Sequence, residues 1–238
     1  SIQIGAMTGK ALSRILDRGK TEEKYLLTCG ASAGLAAAFH APLAGVMFSL
    51  EEIHKNFSVS VLVSVMTASI TADYVSSQFL GFHSVFQFDI GAEIQPRYYW
   101  HILILGVILG LLGAFYNKMT LWVQNLYYKA KGLNETSRLL IPFLLAGVLG
   151  LFVPQVLGSG HDLIETAAGG EMLLGTLLGF LVLKFVFSLI SFGSGAPGGI
   201  FFPLLVLGAL IGGSYGTFAA QYMGLDPSYI SNFVLLAM

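Results

Sequence analysis

Gly193-Ser194-Gly195-Ala196-Pro197-Gly198-Gly199-Ile200-Phe201-Phe202-Pro203 is the stretch that decides how the rest of the chain is read. It separates two apolar runs, residues 173–190 and 204–213, both of which look too greasy for water. Irregular backbone facing lipid leaves its amides and carbonyls unsatisfied, so a break at membrane depth must be buried in protein or line a cavity. Glycines let the backbone turn N–H groups toward a ligand. Pro203 suits the first turn of a helix, where its missing N–H costs nothing. A helix beginning near Ile200 would aim its positive end and its first amides at the break, a setting that favours an anion. A tight turn outside the membrane, between two spanning helices, would have the same composition.

Composition supports the membrane setting. Of 238 residues, 55% are hydrophobic and 11% charged, and the mean hydropathy is +0.76; soluble domains carry about 25% charged residues. The apolar runs are continuous rather than alternating, which indicates helices and not a barrel. Many of the 29 glycines sit four apart, as in Gly5/Gly9, Gly30/Gly34, Gly106/Gly110, Gly175/Gly179 and Gly208/Gly212. Small residues at that spacing let helices approach closely in lipid. The formal net charge of −1 argues against a nucleic-acid partner. Cys29 is the only cysteine, which excludes a disulfide framework and a thiolate metal site. No signal peptide is visible, and the chain reads as an internal piece of a longer protein.

In chain order, residues 1–17 read as a helix and 18–24 as a polar loop. Pro42 should divide the apolar segment after it into two short helices, 25–39 and 43–53. Residues 58–80 read as a full span carrying Asp73, and 82–99 as a polar loop with a helix-breaking Pro96. Residues 100–126 form a long span, with Tyr98, Tyr99, Trp100 and Trp122 as interfacial anchors. A further span is expected over 139–157 and a polar link over 158–171. Helices over 173–190 and 200–218 flank the break, and another starts at Tyr229. Residues 10–24 hold five basic and three acidic side chains, net +2, and 118–138 four basic and one acidic, net +3. Residues 82–99 are net −1 and 158–171 net −3. The positive-inside rule places the first pair in the cytoplasm and the second pair outside. Residues 1–9 also line up with 204–212, both reading x-apolar-x-apolar-Gly-Ala-Met/Leu-x-Gly, with opposite inferred directions through the membrane. That is the mark of an inverted repeat, whose substrate site lies near the midplane.

The ionisable side chains each allow two readings. Glu52 sits at a helix C-terminus, where the dipole disfavours a carboxylate; it is either solvated at the interface or a proton relay. Glu51 reads as its solvated neighbour. Asp73 should face protein or a helix end. Lys184 snorkels to the cytoplasmic side or adds positive potential to an anion path, with snorkelling favoured. His40 and His161 look isolated, and no His/Asp/Glu spacing suggests a metal. Ser159 and Ser194 sit between glycines, as small residues in tight turns do. Neither offers the constellation of an intramembrane protease.

The motifs resemble one family. Gly199-Ile200-Phe201-Phe202-Pro203 looks like the GxFxP signature of the ClC chloride channels and transporters, and residues 193–198 match its usual context. The run 34–45, ending Phe39-His40-Ala41-Pro42-Leu43-Ala44-Gly45 and followed by Glu51-Glu52, is similar to the family's approach to its dimer-interface helices. Ser1-Ile2-Gln3-Ile4-Gly5 looks like the residues after its GREGP motif, and residues 157–164 also fit. The resemblance covers essentially the whole chain in family order. It implies a dimer with one anion pathway per subunit and a central chloride held by the backbone at Gly199, Ile200 and Phe201. Glu52 matches the internal proton glutamate of the exchangers, where channel members commonly carry an apolar residue. It further implies that a gating glutamate and a serine motif precede Ser1, and that an anion-coordinating tyrosine follows Met238.

The expectation is therefore an all-α integral membrane fold of tilted, broken helices in an inverted repeat. Residues 1–238 would be one transmembrane fragment, with the end of the first repeat at about 1–80 and most of the second at about 98–238. The expected function is chloride/proton antiport in a cell membrane by a multi-pass homodimer, with no cofactor beyond chloride as substrate. A passive chloride channel is the alternative within the class, and an intramembrane enzyme the alternative outside it.

Overall fold

Glycine and proline positions set where the helices of this chain begin, end and touch. The computed structural model describes all residues except 82–92, 131, 133, 159, 171 and 197, which include part of the expected loop 82–99 as well as Ser159 and Pro197. Every regular element among the described residues is helical. They form two compact units, Ser1–Val85 and Phe86–Met238.

In the first unit α1 (Ile2–Ile15) lies against α2 (Lys20–Phe39). A Cβ on Gly5 would overlap the Gly30 carbonyl, and one on Gly9 the Leu26 carbonyl. The small-residue stripes of the two helices therefore meet backbone to backbone. Helix α2 starts at Lys20, inside the expected polar loop: its charged first turn, with Glu22 and Glu23 facing the helix's positive end, is part of the helix. It ends before Pro42, as the proline requires. Its C-cap His40 takes the left-handed conformation, φ 50°, which is uncommon for a side chain with a Cβ. Helix α3 (Pro42–Phe48) then passes into a π-turn, Ser49–His54, where one continuous α-helix had been expected to 53. The next helix, α4 (Val59–Leu80), opens with the Ser58 hydroxyl accepting the Val61 N–H at 3.3 Å. Val46, Val61 and Val65 form the small core of the unit, with Tyr25, Cys29, Leu50 and Leu62 around them.

The second unit begins with a short turn at Pro96–Tyr98, so Pro96 introduces α5 (Tyr99–Lys129) rather than only breaking a loop. Helix α6 (Glu135–Phe152) ends five residues before the expected end of its span, and Pro154–Val156 forms a separate short turn after it. The supposed polar link contains α7 (His161–Ala168). It turns Leu163, Ile164 and Ala167 into the core and leaves Asp162 and Glu165 exposed. Helices α8 (Leu174–Gly193), α9 (Phe201–Tyr222) and α10 (Ile230–Ala237) complete it. Among the described residues four helical stretches are long and apolar enough to cross a membrane: Val59–Leu80, Pro96–Lys129, Leu174–Gly193 and Phe201–Tyr222.

The last of these differs from the others. Over its most apolar window α9 is 56% buried, against 11–22% for the other three. It is the axis of its unit: Val206, Ala209 and Leu210 pack against α7, α8 and α10, while Ala219 joins α5 and α10. Gly208 and Gly212 bring α10 into backbone contact with it, since a Cβ on either would overlap a carbonyl of α10. Gly106, Gly110, Gly175 and Gly179 have open space where a Cβ would go, so that spacing does not serve packing within this chain.

Candidate anion and proton sites

The break before α9 opens with a turn at Ser194 and Gly195. Ser194 caps α8, its hydroxyl donating to the Ser191 carbonyl at 2.7 Å and accepting the Ala196 N–H at 3.3 Å. That bears out its reading as a small residue in a turn. Gly195 follows at φ 80°, a left-handed conformation that glycine adopts without strain. Gly199 is exposed, with open space where a Cβ would sit. Ile200 is the N-cap, and its carbonyl accepts the first helical bond, from Leu204 N–H at 3.2 Å. Phe201 and Phe202 make the first turn, and Pro203, third in the helix, has no N–H to orphan. Helix geometry points the amides of such a turn out along the axis, where the dipole is positive. No acidic residue lies in that turn. Gly199, Ile200 and Phe201 are thus consecutive at the start of the most enclosed of the four membrane-length helices. Ile200 and Phe201 are 43% and 40% exposed.

Glu52 belongs to the first unit, on the π-turn, and is exposed beside exposed Glu51. Leu50 and His54, on either side of the pair, turn inward. A π-turn adds a residue to the helical repeat, and single π-turns recur at functional sites.

Two of the other ionisable residues, Lys184 and His40, have partners that spacing did not suggest. Lys184 does not snorkel: it is 2% exposed, and its ammonium donates to the carbonyls of Val156 at 2.7 Å and Gly158 at 3.3 Å. Those carbonyls belong to the turn between α6 and α7, so the lysine ties α8 to that turn. His40 is not isolated: its Nδ1 lies 3.0 Å from Asp73 Oδ1 and 3.4 Å from Ser77 Oγ, which identifies the partner of Asp73. The contact holds the left-handed end of α2 against α4. His161 approaches Glu165 at 3.8 Å, one turn further along α7. Sequence gave no sign of His101, buried in α5 with its Nδ1 2.8 Å from the Tyr215 hydroxyl. Among the described residues no group of His, Cys, Asp or Glu could hold a metal.

Helices broken by glycine and proline, one of them presenting its N-terminus from a Gly-rich turn, define an all-α membrane fold of the ClC type. The family model described as voltage gated chloride channel matches residues 1–238, and the chain belongs to that family. It is 35% identical over 227 residues to an H(+)/Cl(-) exchange transporter ClcA of Cronobacter sakazakii (strain ATCC BAA-894), a match covering 93% of this chain and 49% of the relative. Its fold is that of a slow cyanobacterial Cl-/H+ antiporter, with a TM-score of 0.87 at 23% identity over 99% of this chain and 60% of the other. A CLC-type fluoride/proton antiporter follows at 0.78 and 23% identity, over 97% and 57%. The chain spans about half the length of the curated relative it matches.

Proposed function

We propose that the protein exchanges chloride for protons across a cell membrane. One observation carries the anion half: a Gly-rich turn, with no acidic residue in the first helical turn after it, opens the α9 N-terminus at Gly199, Ile200 and Phe201. Such a terminus holds an anion with backbone amides and dipole, without a basic side chain that would bind it too tightly to release. The proton half rests on Glu52, an exposed carboxylate on a π-turn at the end of a broken helix. Similarity to an exchange transporter favours antiport over passive conduction. In this reading residues about 1–80 end the first repeat and about 98–238 form most of the second, in a homodimer.

Reconstitution into liposomes under opposed chloride and proton gradients tests the assignment. The exchanger drives proton uptake with outward chloride movement. Glu52→Gln keeps the shape of the side chain but has no titrating proton, so it should abolish proton uptake and leave chloride flux within about twofold, because the anion site is made of backbone amides. Chloride flux with no coupled proton movement in the unsubstituted protein would instead identify a channel.

A further inference from the structure

The π-turn that carries Glu51 and Glu52 is tied to α2 through its last residue. His54 closes it, is 8% exposed, and sets its Nδ1 3.3 Å from Thr28 Oγ1 on α2. Thr28 has one hydroxyl proton and gives it to the Lys24 carbonyl at 2.8 Å. Its oxygen can therefore only accept from the imidazole, and His54 must carry its proton on Nδ1. The ring also rests against Tyr25, centroids 5.3 Å apart. His54 lies outside the four membrane-length helices. Burial first, and the Lys24 ammonium second, push its pKa below the ordinary histidine range, which keeps it neutral with a single ring proton. Immediately after it Lys55 turns left-handed, φ 57°, so no further helical turn steadies the segment.

We infer that His54 is a positioning residue: its Nδ1–H bond to Thr28 locks the π-turn onto α2 and so fixes where the Glu52 carboxyl is presented. In a continuous α-helix, the residues after Phe48 would point elsewhere around the axis. The π form is the rarer one and persists where surrounding contacts hold it. Leu50, packed against the cluster of Val46, Val61 and Val65, secures one side of the turn, and His54, against Tyr25 and Thr28, secures the other. This inference rests on the proton role given to Glu52 above.

The test exploits side-chain geometry. An Asn amide N–H reaches about where Nδ1–H does, and a Gln amide reaches where Nε2 does. Proton uptake and chloride flux are measured in liposomes for His54→Asn, His54→Gln, Thr28→Val and Glu52→Gln, with thermal midpoints as a folding check. Hydrogen exchange is followed at the amides of residues 50–55. The expected result is coupling retained in His54→Asn. In His54→Gln and Thr28→Val proton uptake should fall about three- to tenfold, the equivalent of one hydrogen bond, with chloride flux unchanged and exchange faster at 50–55. Wild-type coupling in both His54→Gln and Thr28→Val would overturn the inference. So would equal loss in His54→Asn and His54→Gln, since the donor position would then be irrelevant. If Glu52→Gln itself retains proton uptake, the role of Glu52 fails separately. The lock is then decided by exchange alone: faster exchange in His54→Gln but not in His54→Asn upholds it, and equal exchange in the two refutes it.

Discussion

One ammonium holds a whole turn of the second unit in place. Lys184 is buried in α8 among apolar side chains, and its two described acceptors are the carbonyls of Val156 and Gly158. A buried charge is costly unless hydrogen-bonded, and a buried carbonyl stripped of its donor costs about 1–3 kcal/mol. Lys184→Met should therefore lower the thermal midpoint in detergent and speed hydrogen exchange at the Leu157 amide. An unchanged midpoint with unchanged exchange would mean that the lysine does not hold the turn. His40 acts similarly in the first unit. A left-handed residue with a Cβ is strained, and the Asp73 carboxylate on α4 fixes the imidazole there. Neither partnership could be read from sequence, because Lys184 and Val156 are 28 residues apart and His40 and Asp73 33. Spacing along one helix says nothing about such pairs.

At the scale of elements, close helix approach is the main device. Gly9 meets the Leu26 carbonyl at the α1–α2 contact, whereas Gly106 on α5 faces open space. Gly9→Val should destabilise by about 1–3 kcal/mol through forced separation of the helices. Gly106→Ala should be neutral or slightly stabilising, since alanine is the better helix former. Comparing their chemical-denaturation midpoints in micelles checks the pair, and equal effects would contradict the packing account. Sequence alone placed the long helices and both breaks, because Pro42 and the run at 193–199 act locally on the backbone. It missed the π-turn, since nothing in Ser49-Leu50-Glu51-Glu52-Ile53-His54 marks a wider helix; the anchor on Thr28 is a tertiary contact. It missed α7 because three core residues were hidden in an acidic run. The helix start at Gly199–Ile200–Phe201 was legible because the glycines and Pro203 around it act locally on the backbone, and the surroundings of Glu52 were not.

For the whole molecule, four membrane-length stretches among the described residues, three of them with mostly unburied windows, make this a multi-pass membrane protein of the ClC family. Helices α3 and α4 expose Leu43, Met47, Val59, Val63 and Met66, an apolar surface that lipid or a second subunit would cover. The proposed homodimer predicts disulfide crosslinking between subunits from cysteines placed on these helices, in a background lacking Cys29. Absence of crosslinks across several pairs would count against that face. The most direct test of the central claim is anomalous diffraction from crystals soaked in bromide, a heavier halide that replaces chloride. The account predicts a bromide peak within hydrogen-bond reach of the backbone amides of Ile200 and Phe201, at the start of α9. A structure with residues 199–203 in bulk water, or with bromide bound elsewhere and none at this turn, would contradict it.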